Sequence, residues 1–161
     1  MFLVSSLYPS VLKYYPFPKG HPVIITKDFK PVDEYFGIIK CKVLPPRKLN
    51  HPVLPRTSQG KLKFPLCQKC ADSESYPCSC SPDERALVGC WVSPEILKAV
   101  EKGYKILKIY EVYHWPETCQ YGDETNGLFT DYINTFLKVS VFHDQQILQK
   151  ILQMIQNYLV V

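Results

Sequence analysis

The sequence predicts an α+β fold, and three observations carry that expectation. Gly37 to Leu44 alternates, with Ile39, Cys41 and Val43 on one side and Lys40 and Lys42 on the other, the two-residue period of a half-exposed strand. Ser93-Pro94-Glu95 opens a run with the chemistry of a helix start, and Gly103 is placed to close it. Leu128, Phe129, Tyr132, Ile133, Phe136 and Leu137 recur at helical spacing on one face. Both periods occur within 161 residues, enough for one domain of ordinary size. No internal repeat interrupts them.

In chain order, residues 1–30 are expected to be extended and to enter a tight turn at Ser6-Leu7-Tyr8-Pro9-Ser10. A short helical turn follows at Val11–Tyr15, and Pro16, Pro18, Gly20 and Pro22 then forbid regular helix. Val23–Thr26 is a short strand. Pro45 and Pro46 end the strand from Gly37, and the proline-rich, basic stretch 45–63 is a loop or an edge. Leu87–Val92 is a strand, Ser93 is the N-cap of the next helix, and Tyr104–Tyr113 is a long strand. Residues 114–126 form a polar loop. Asp144 caps a final helix whose stripe is Ile147, Leu148, Ile151, Leu152, Ile155, Tyr158 and Leu159.

The composition, 46% hydrophobic and 21% charged, is that of a chain that folds. Its eleven tyrosines suit either a surface that stacks on a partner or a tyrosine-rich core and rim. A net charge of +4 is compatible with a polyanionic partner. The basic residues gather at Lys40, Lys42, Arg47, Lys48, Arg56, Lys61, Lys63 and Lys69, and again at Lys98, Lys102, Lys105 and Lys108. They form either a nucleic-acid path or a solvated face. No apolar run approaches the ~20 residues that span a bilayer. No basic residue precedes the apolar Met1–Val4, so an intracellular chain with thiols or a metal is expected, rather than a secreted disulfide framework.

Cys67-x-x-Cys70 followed by Cys78-x-Cys80 puts four thiols within fourteen residues, enough to wrap one tetrahedral Zn2+. A loop of free thiols is the alternative. Cys41, Cys90 and Cys119 read as small apolar residues in or near strands. The four histidines are too scattered for a hydrolytic triad. Asp83-Glu84-Arg85 reads as a solvated turn or helix start, Asp123-Glu124 as plain surface, and Trp91 and Trp115 as packing anchors.

Ser6-Leu7-Tyr8-Pro9-Ser10 resembles motif A of family B DNA polymerases, Asp-x-x-Ser-Leu-Tyr-Pro-Ser. Tyr14–Thr26, Leu87-x-Gly89-x-Trp91, Glu95-Ile96-x-Lys98-Ala99, Gly103-Tyr104, Ile109-Tyr110-Glu111-Val112 and Gly127-Leu128-Phe129-x-Asp131-Tyr132-Ile133-Asn134 are similar, in the same order, to the protein-primed members in viruses, organelles and self-synthesising transposons. The resemblance runs over roughly residues 2–138. It implies DNA-directed DNA polymerisation with Mg2+ and deoxynucleoside triphosphates, on DNA, with a terminal protein as possible primer. Val4, Ser6, Leu7 and Tyr8 take the nucleotide positions, Val4 through its carbonyl, Ser6 and Leu7 at the triphosphate turn and Tyr8 at the sugar gate. Lys40, Lys42, Arg47, Lys48, Arg56, Lys61 and Lys63 would face DNA or the terminal protein. Cys80 stands where transposon-type relatives carry a His.

The resemblance also divides the chain into a motif A segment of the palm (1–30), an inserted terminal-protein and DNA-contact region (31–126, with the Cys-rich loop 64–82) and a helical segment leading toward the fingers (127–161). Within the α+β class it implies a partial palm edge plus an inserted small mixed sheet with two to three helices. One position departs from the pattern. Leu3 stands where the metal-binding Asp belongs, and a leucine cannot ligate Mg2+. The later fingers and Asp-Thr-Asp motifs are not in the sequence. The expectation is therefore a polymerase piece that holds a nucleotide without joining it. The rival is a non-catalytic, zinc-stabilised module that binds nucleic acid or protein.

Overall fold

A computed structural model of the chain describes residues 7–122 and 127–135. In chain order the elements are α1 (Leu7–Tyr14), β1 (Phe17–Pro18), β2 (Val23–Ile25), a 3-10 turn (Val32–Glu34), β3 (Gly37–Leu44), β4 (Arg56–Ser58) and β5 (Lys61–Lys63). Then come α2 (Gln68–Ser73), α3 (Pro82–Arg85), β6 (Leu87–Val92), α4 (Ser93–Glu101), β7 (Lys105–His114) and β8 (Thr118–Cys119). Residues 130–135 are helical. The α+β class is observed, and every strand pair is antiparallel. No helix among the described residues is long and apolar enough to cross a membrane.

The chain forms two compact units, residues 20–117 and residues 1–19 with 118–161. The first is built on a four-stranded sheet in the order β2-β7-β3-β6. Alternation in β3 decides its two faces. Ile39, Cys41 and Val43 point inward opposite Trp91, Gly89 and Leu87 of β6, and Ile39 also opposite Val112 of β7. With Leu54, Ile96, Ala99, Tyr104 and Tyr35 they make one buried cluster. Burying each large aliphatic chain contributes about 1.5–3 kcal/mol. Helix α4 covers this face through Ile96 and Ala99, and Gly103 (φ 88°) turns its end into β7. The opposite face carries Ile24, Tyr113, Ile38 and Val92 in one row across all four strands, with Glu111, Lys40 and Cys90 in the next.

At the start of β3, Gly37 has φ 150°, and a Cβ there would lie 2.0 Å from the Tyr113 carbonyl oxygen. Only glycine fits so close a strand approach. The indole N–H of Trp91 donates to Pro55 O at 2.8 Å and that of Trp115 to Gly20 O at 3.2 Å, so both act as anchors. In the other unit β1 pairs with β8, Phe17 meets the Phe129 ring edge-on at 4.9 Å, and Ile133 is fully buried.

Several local expectations are corrected. Residues 7–10 are not a tight turn but the start of α1. Pro9 sits in the first turn, where a missing N–H costs nothing. Ser93 is the first helical residue rather than the cap. Its hydroxyl instead accepts the Gly37 N–H at 3.1 Å, and Glu95 reaches back to the Val92 N–H. The stretch 45–63 hides the β4–β5 hairpin, turned by Gln59-Gly60, both with positive φ (51° and 73°), the conformation a two-residue hairpin requires. Cys90 is exposed, since it faces outward beside Lys40. Leu128 and Tyr132 are exposed while Ile133 is buried, so the 128–133 apolar residues do not share one buried face. Phe136, Leu137, Asp123-Glu124 and the expected last helix lie outside the described residues.

Candidate functional site

The site forms where the hairpin, α2 and α3 meet in the unit of residues 20–117. Cys67 has extended backbone (φ −152°, ψ 123°) and caps α2, its Sγ accepting the Cys70 N–H at 3.4 Å. A Cys three residues ahead of another at a helix start makes this bond naturally, and it turns both sulfurs to one side. Glu74, in the left-handed region (φ 52°), ends α2 and sends the chain back past Cys78 and Cys80. The four Sγ atoms then lie within 4.8 Å of one another. Cys70 and Cys80 are 3.7 Å apart. Two sulfurs on a tetrahedral zinc with ~2.3 Å bonds stand ~3.8 Å apart, so the spacing fits that ion. Cys67 and Cys70 are buried.

Four thiols this close cannot all ionise without a cation among them. The Cys78 thiol is lowered to about 7 by a hydrogen bond from the Cys80 backbone and by the Cys70 thiol. The Cys70 thiol is pushed up to about 12 by burial and then by its bonded cysteine neighbours. Burial also raises Cys80. A soft divalent ion reverses this by taking all four as thiolates.

Polar contacts hold the frame. Ser58 Oγ donates to Ala71 O at 2.9 Å, and Gln59 Nε2 donates to Asp72 O at 2.7 Å. Ser81 and Glu84 form a reciprocal capping box on α3. Lys69 pairs with Glu84 at 2.5 Å and, with Ser81, holds that carboxyl at about 2. In Asp83-Glu84-Arg85 the first two residues are solvated as expected, but Arg85 is buried.

The seven basic candidates separate into two groups. Lys42 pairs with Asp83 at 3.0 Å, Arg56 donates to Val88 O at 2.9 Å and faces Asp72 at 3.7 Å, and Lys63 bonds Ala71 O and Glu74, both at 3.0 Å. These three brace the cysteine frame. Lys40, Arg47, Lys48 and Lys61 are exposed, and their side chains make no hydrogen bond or ion pair among the described residues. Lys40 lies on the outer sheet face, while Arg47 and Lys48 border a cavity of ≈ 350 Å³ beside the cysteines. Sequence reasoning missed Arg85 because a charge run looks solvated from sequence alone. It missed the hairpin because a Gln-Gly turn is a weak signal.

Leu7 and Tyr8 are the first two residues of α1, with Tyr8 78% exposed, and Leu3, Val4 and Ser6 lie outside the described residues. Among the described residues, the cysteines are the only group of three or more His, Cys, Asp or Glu side chains with converging ligand atoms. Among the described residues no group of three or more carboxylates converges as a site for the Mg2+ pair of nucleotidyl transfer would.

The class of the chain is given by its family match. Residues 2–159 match the family of organellar and viral type B DNA polymerases, and the chain belongs to that family. The match continues past Lys138, where the resemblance was expected to end. No curated protein and no solved structure matches the chain.

Proposed function

We propose that these residues form a zinc-clasped, DNA-contacting part of a type B DNA polymerase and do not themselves join nucleotides. The convergence of four cysteine sulfurs within 4.8 Å carries the proposal. It turns a polar segment that cannot build a core into a rigid frame beside a basic surface. Zn2+ there is structural, with no open position. Lys40, Arg47, Lys48 and Lys61, unpaired among the described residues, would meet phosphates, and Tyr8 with Ser6, Leu7 and the Val4 carbonyl would hold a deoxynucleoside triphosphate. Leu3 supports the absence of transfer, because it removes a ligand that the two-metal reaction requires. Reduced thiols and a DNA partner agree with an intracellular setting.

The test has three arms. Metal analysis of fresh reduced protein is expected to give one zinc per chain. Anisotropy of labelled DNA is expected to show affinity that falls with salt and falls further in Lys40→Glu/Lys48→Glu. Primer extension with Mg2+ and the four nucleotides is expected to give no product. Salt-independent binding, zinc below half an equivalent, or extension each removes the corresponding part of the proposal.

A second reading rests on the outer row Ile24, Tyr113, Ile38 and Val92, in which Ile24 is 57% exposed. An apolar row suits a protein partner such as a terminal-protein primer better than DNA. Ile24→Asp/Val92→Asp is expected to leave DNA binding intact and to abolish capture of that primer. Unchanged primer capture removes the second reading.

A further inference from the structure

Among the described residues Arg85 is the only buried charged side chain, 4% exposed. A guanidinium does not lose its proton in a protein, so its charge remains wherever it is buried. Its Nη2 donates to three backbone carbonyls, Pro45 and Pro46 at 2.9 Å and Leu66 at 3.3 Å. Among the described residues no carboxylate lies within ion-pair range of it. Its two acidic neighbours are turned elsewhere, Asp83 to Lys42 and Glu84 to Lys69. The carbonyl dipoles accept from Nη2 but do not neutralise the charge, and an uncompensated buried charge is costly.

Three of the four cysteines of the cluster border the same cavity as this guanidinium. Arg85 lines the ≈ 350 Å³ cavity together with Cys67, Cys70 and Cys78. The link is also covalent: Arg85 closes α3, which begins two residues after Cys80, and Cys67 Sγ lies 4.0 Å from the Glu84 carbonyl oxygen. A divalent ion held by four thiolates carries a net charge of 2−, which is itself costly to bury alone. We infer that Arg85 is the built-in counter-cation of a dianionic tetrathiolate centre, a positioning residue that acts on the metal through charge and touches no ligand sulfur in the metal's coordination sphere. The inference rests on the zinc reading above. It deepens that reading by accounting for an otherwise unmatched buried guanidinium, and it specifies that all four cysteines bind as thiolates.

The experiment is zinc affinity of the full chain by competition with a chromogenic chelator, with circular dichroism checking the fold. Arg85→Met removes the charge and is expected to weaken zinc 10–100-fold, the range seen when partners outside the coordination sphere are lost. Arg85→Lys keeps the charge but loses the three-carbonyl fork, and is expected to stay within a few-fold of the parent chain. Cys80→His lowers the centre to 1−, and in that background Arg85→Met is expected to cost clearly less. A role confined to stapling the carbonyls gives the opposite pattern: Arg85→Lys as weak as Arg85→Met, and the same loss in both backgrounds. Either result overturns the inference, as does unaltered affinity in Arg85→Met. If Arg85→Met does not fold, Arg85→Gln against Arg85→Lys makes the same comparison. A parent chain that takes up no zinc instead overturns the zinc reading, and is told apart by that measurement alone.

Discussion

The four-stranded sheet and the cysteine frame belong to one compact unit but are held together by different physics. In the sheet, β3 buries Ile39, Cys41 and Val43 between two neighbours, and α4 seals the same face with Ile96 and Ala99. Apolar burial orders it, with no outside component. The frame offers two helices of six and four residues, and residues 72–79 are exposed throughout. Helices this short are not stable by themselves. What orders them is directional: the Cys67 cap, the Ser81–Glu84 box, the Ser58 and Lys63 bonds to Ala71, and four converging sulfurs. A core tolerates changes of condition that leave its side chains alone, whereas a frame clasped by the proposed zinc would depend on metal, redox state and pH.

The largest expected effect separates the two regions. Cys70→Ser, or strong chelation, is expected to reduce bound zinc from one equivalent to none and to open 72–79 to protease. Hydrogen exchange in β3, β6 and β7 should stay slow, because structural zinc contributes its binding energy (of order 10 kcal/mol in small domains) only to what it orders. Simultaneous loss of sheet protection would show that the regions are not distinct. The reverse perturbation is Ile96→Ala, at a fully buried position. It is expected to cost about 2–5 kcal/mol in denaturant unfolding while zinc content stays at one below the transition.

A smaller effect is expected at Tyr104, whose buried hydroxyl accepts the Val53 N–H at 3.3 Å. Tyr104→Phe leaves that donor unpaired and should lower stability by about 1 kcal/mol, read from the denaturant midpoint. The finest test is thiol reactivity in metal-free, reduced protein. Cys78, lowered to about 7, is a thiol below that pH and a thiolate above it, so mapped alkylation should begin there and rise through neutrality. Cys70 and Cys41, both pushed up to about 12, with burial the main cause, should remain unlabelled at pH 8. Added zinc should protect Cys78. Equal labelling of all three would contradict the electrostatic picture of the frame.

What could be read from the sequence follows the same division. Gly37–Leu44 and Leu87–Val92 were legible to the residue, since alternation and flanking prolines or helix signals are local facts. The Cys67, Cys70, Cys78 and Cys80 set was legible from spacing, as was family membership from the Ser-Leu-Tyr-Pro run and the ordered matches after it. The hairpin at 56–63 was not, because proline and lysine mask the pattern and its turn lacks Asn or Asp. Ser93 was mistaken for a cap because its actual partner, Gly37 N–H, is 56 residues away.

The sequence by itself determined the class, the family, the main strands and the identity of the thiols. All of these are carried by residue type and short-range spacing. Only the tertiary structure decided which charges are free and which are committed. Lys42, Arg56 and Lys63 look identical to Lys40 and Lys61 along the chain, yet three brace the cysteine frame and two face solvent. Arg85 sits in a solvated-looking triplet but is buried against the cysteine cavity. Whether a charge meets a partner or water depends on what the fold brings within about 4 Å of it, and residues 19 to 40 positions away supply the carbonyls that this one meets.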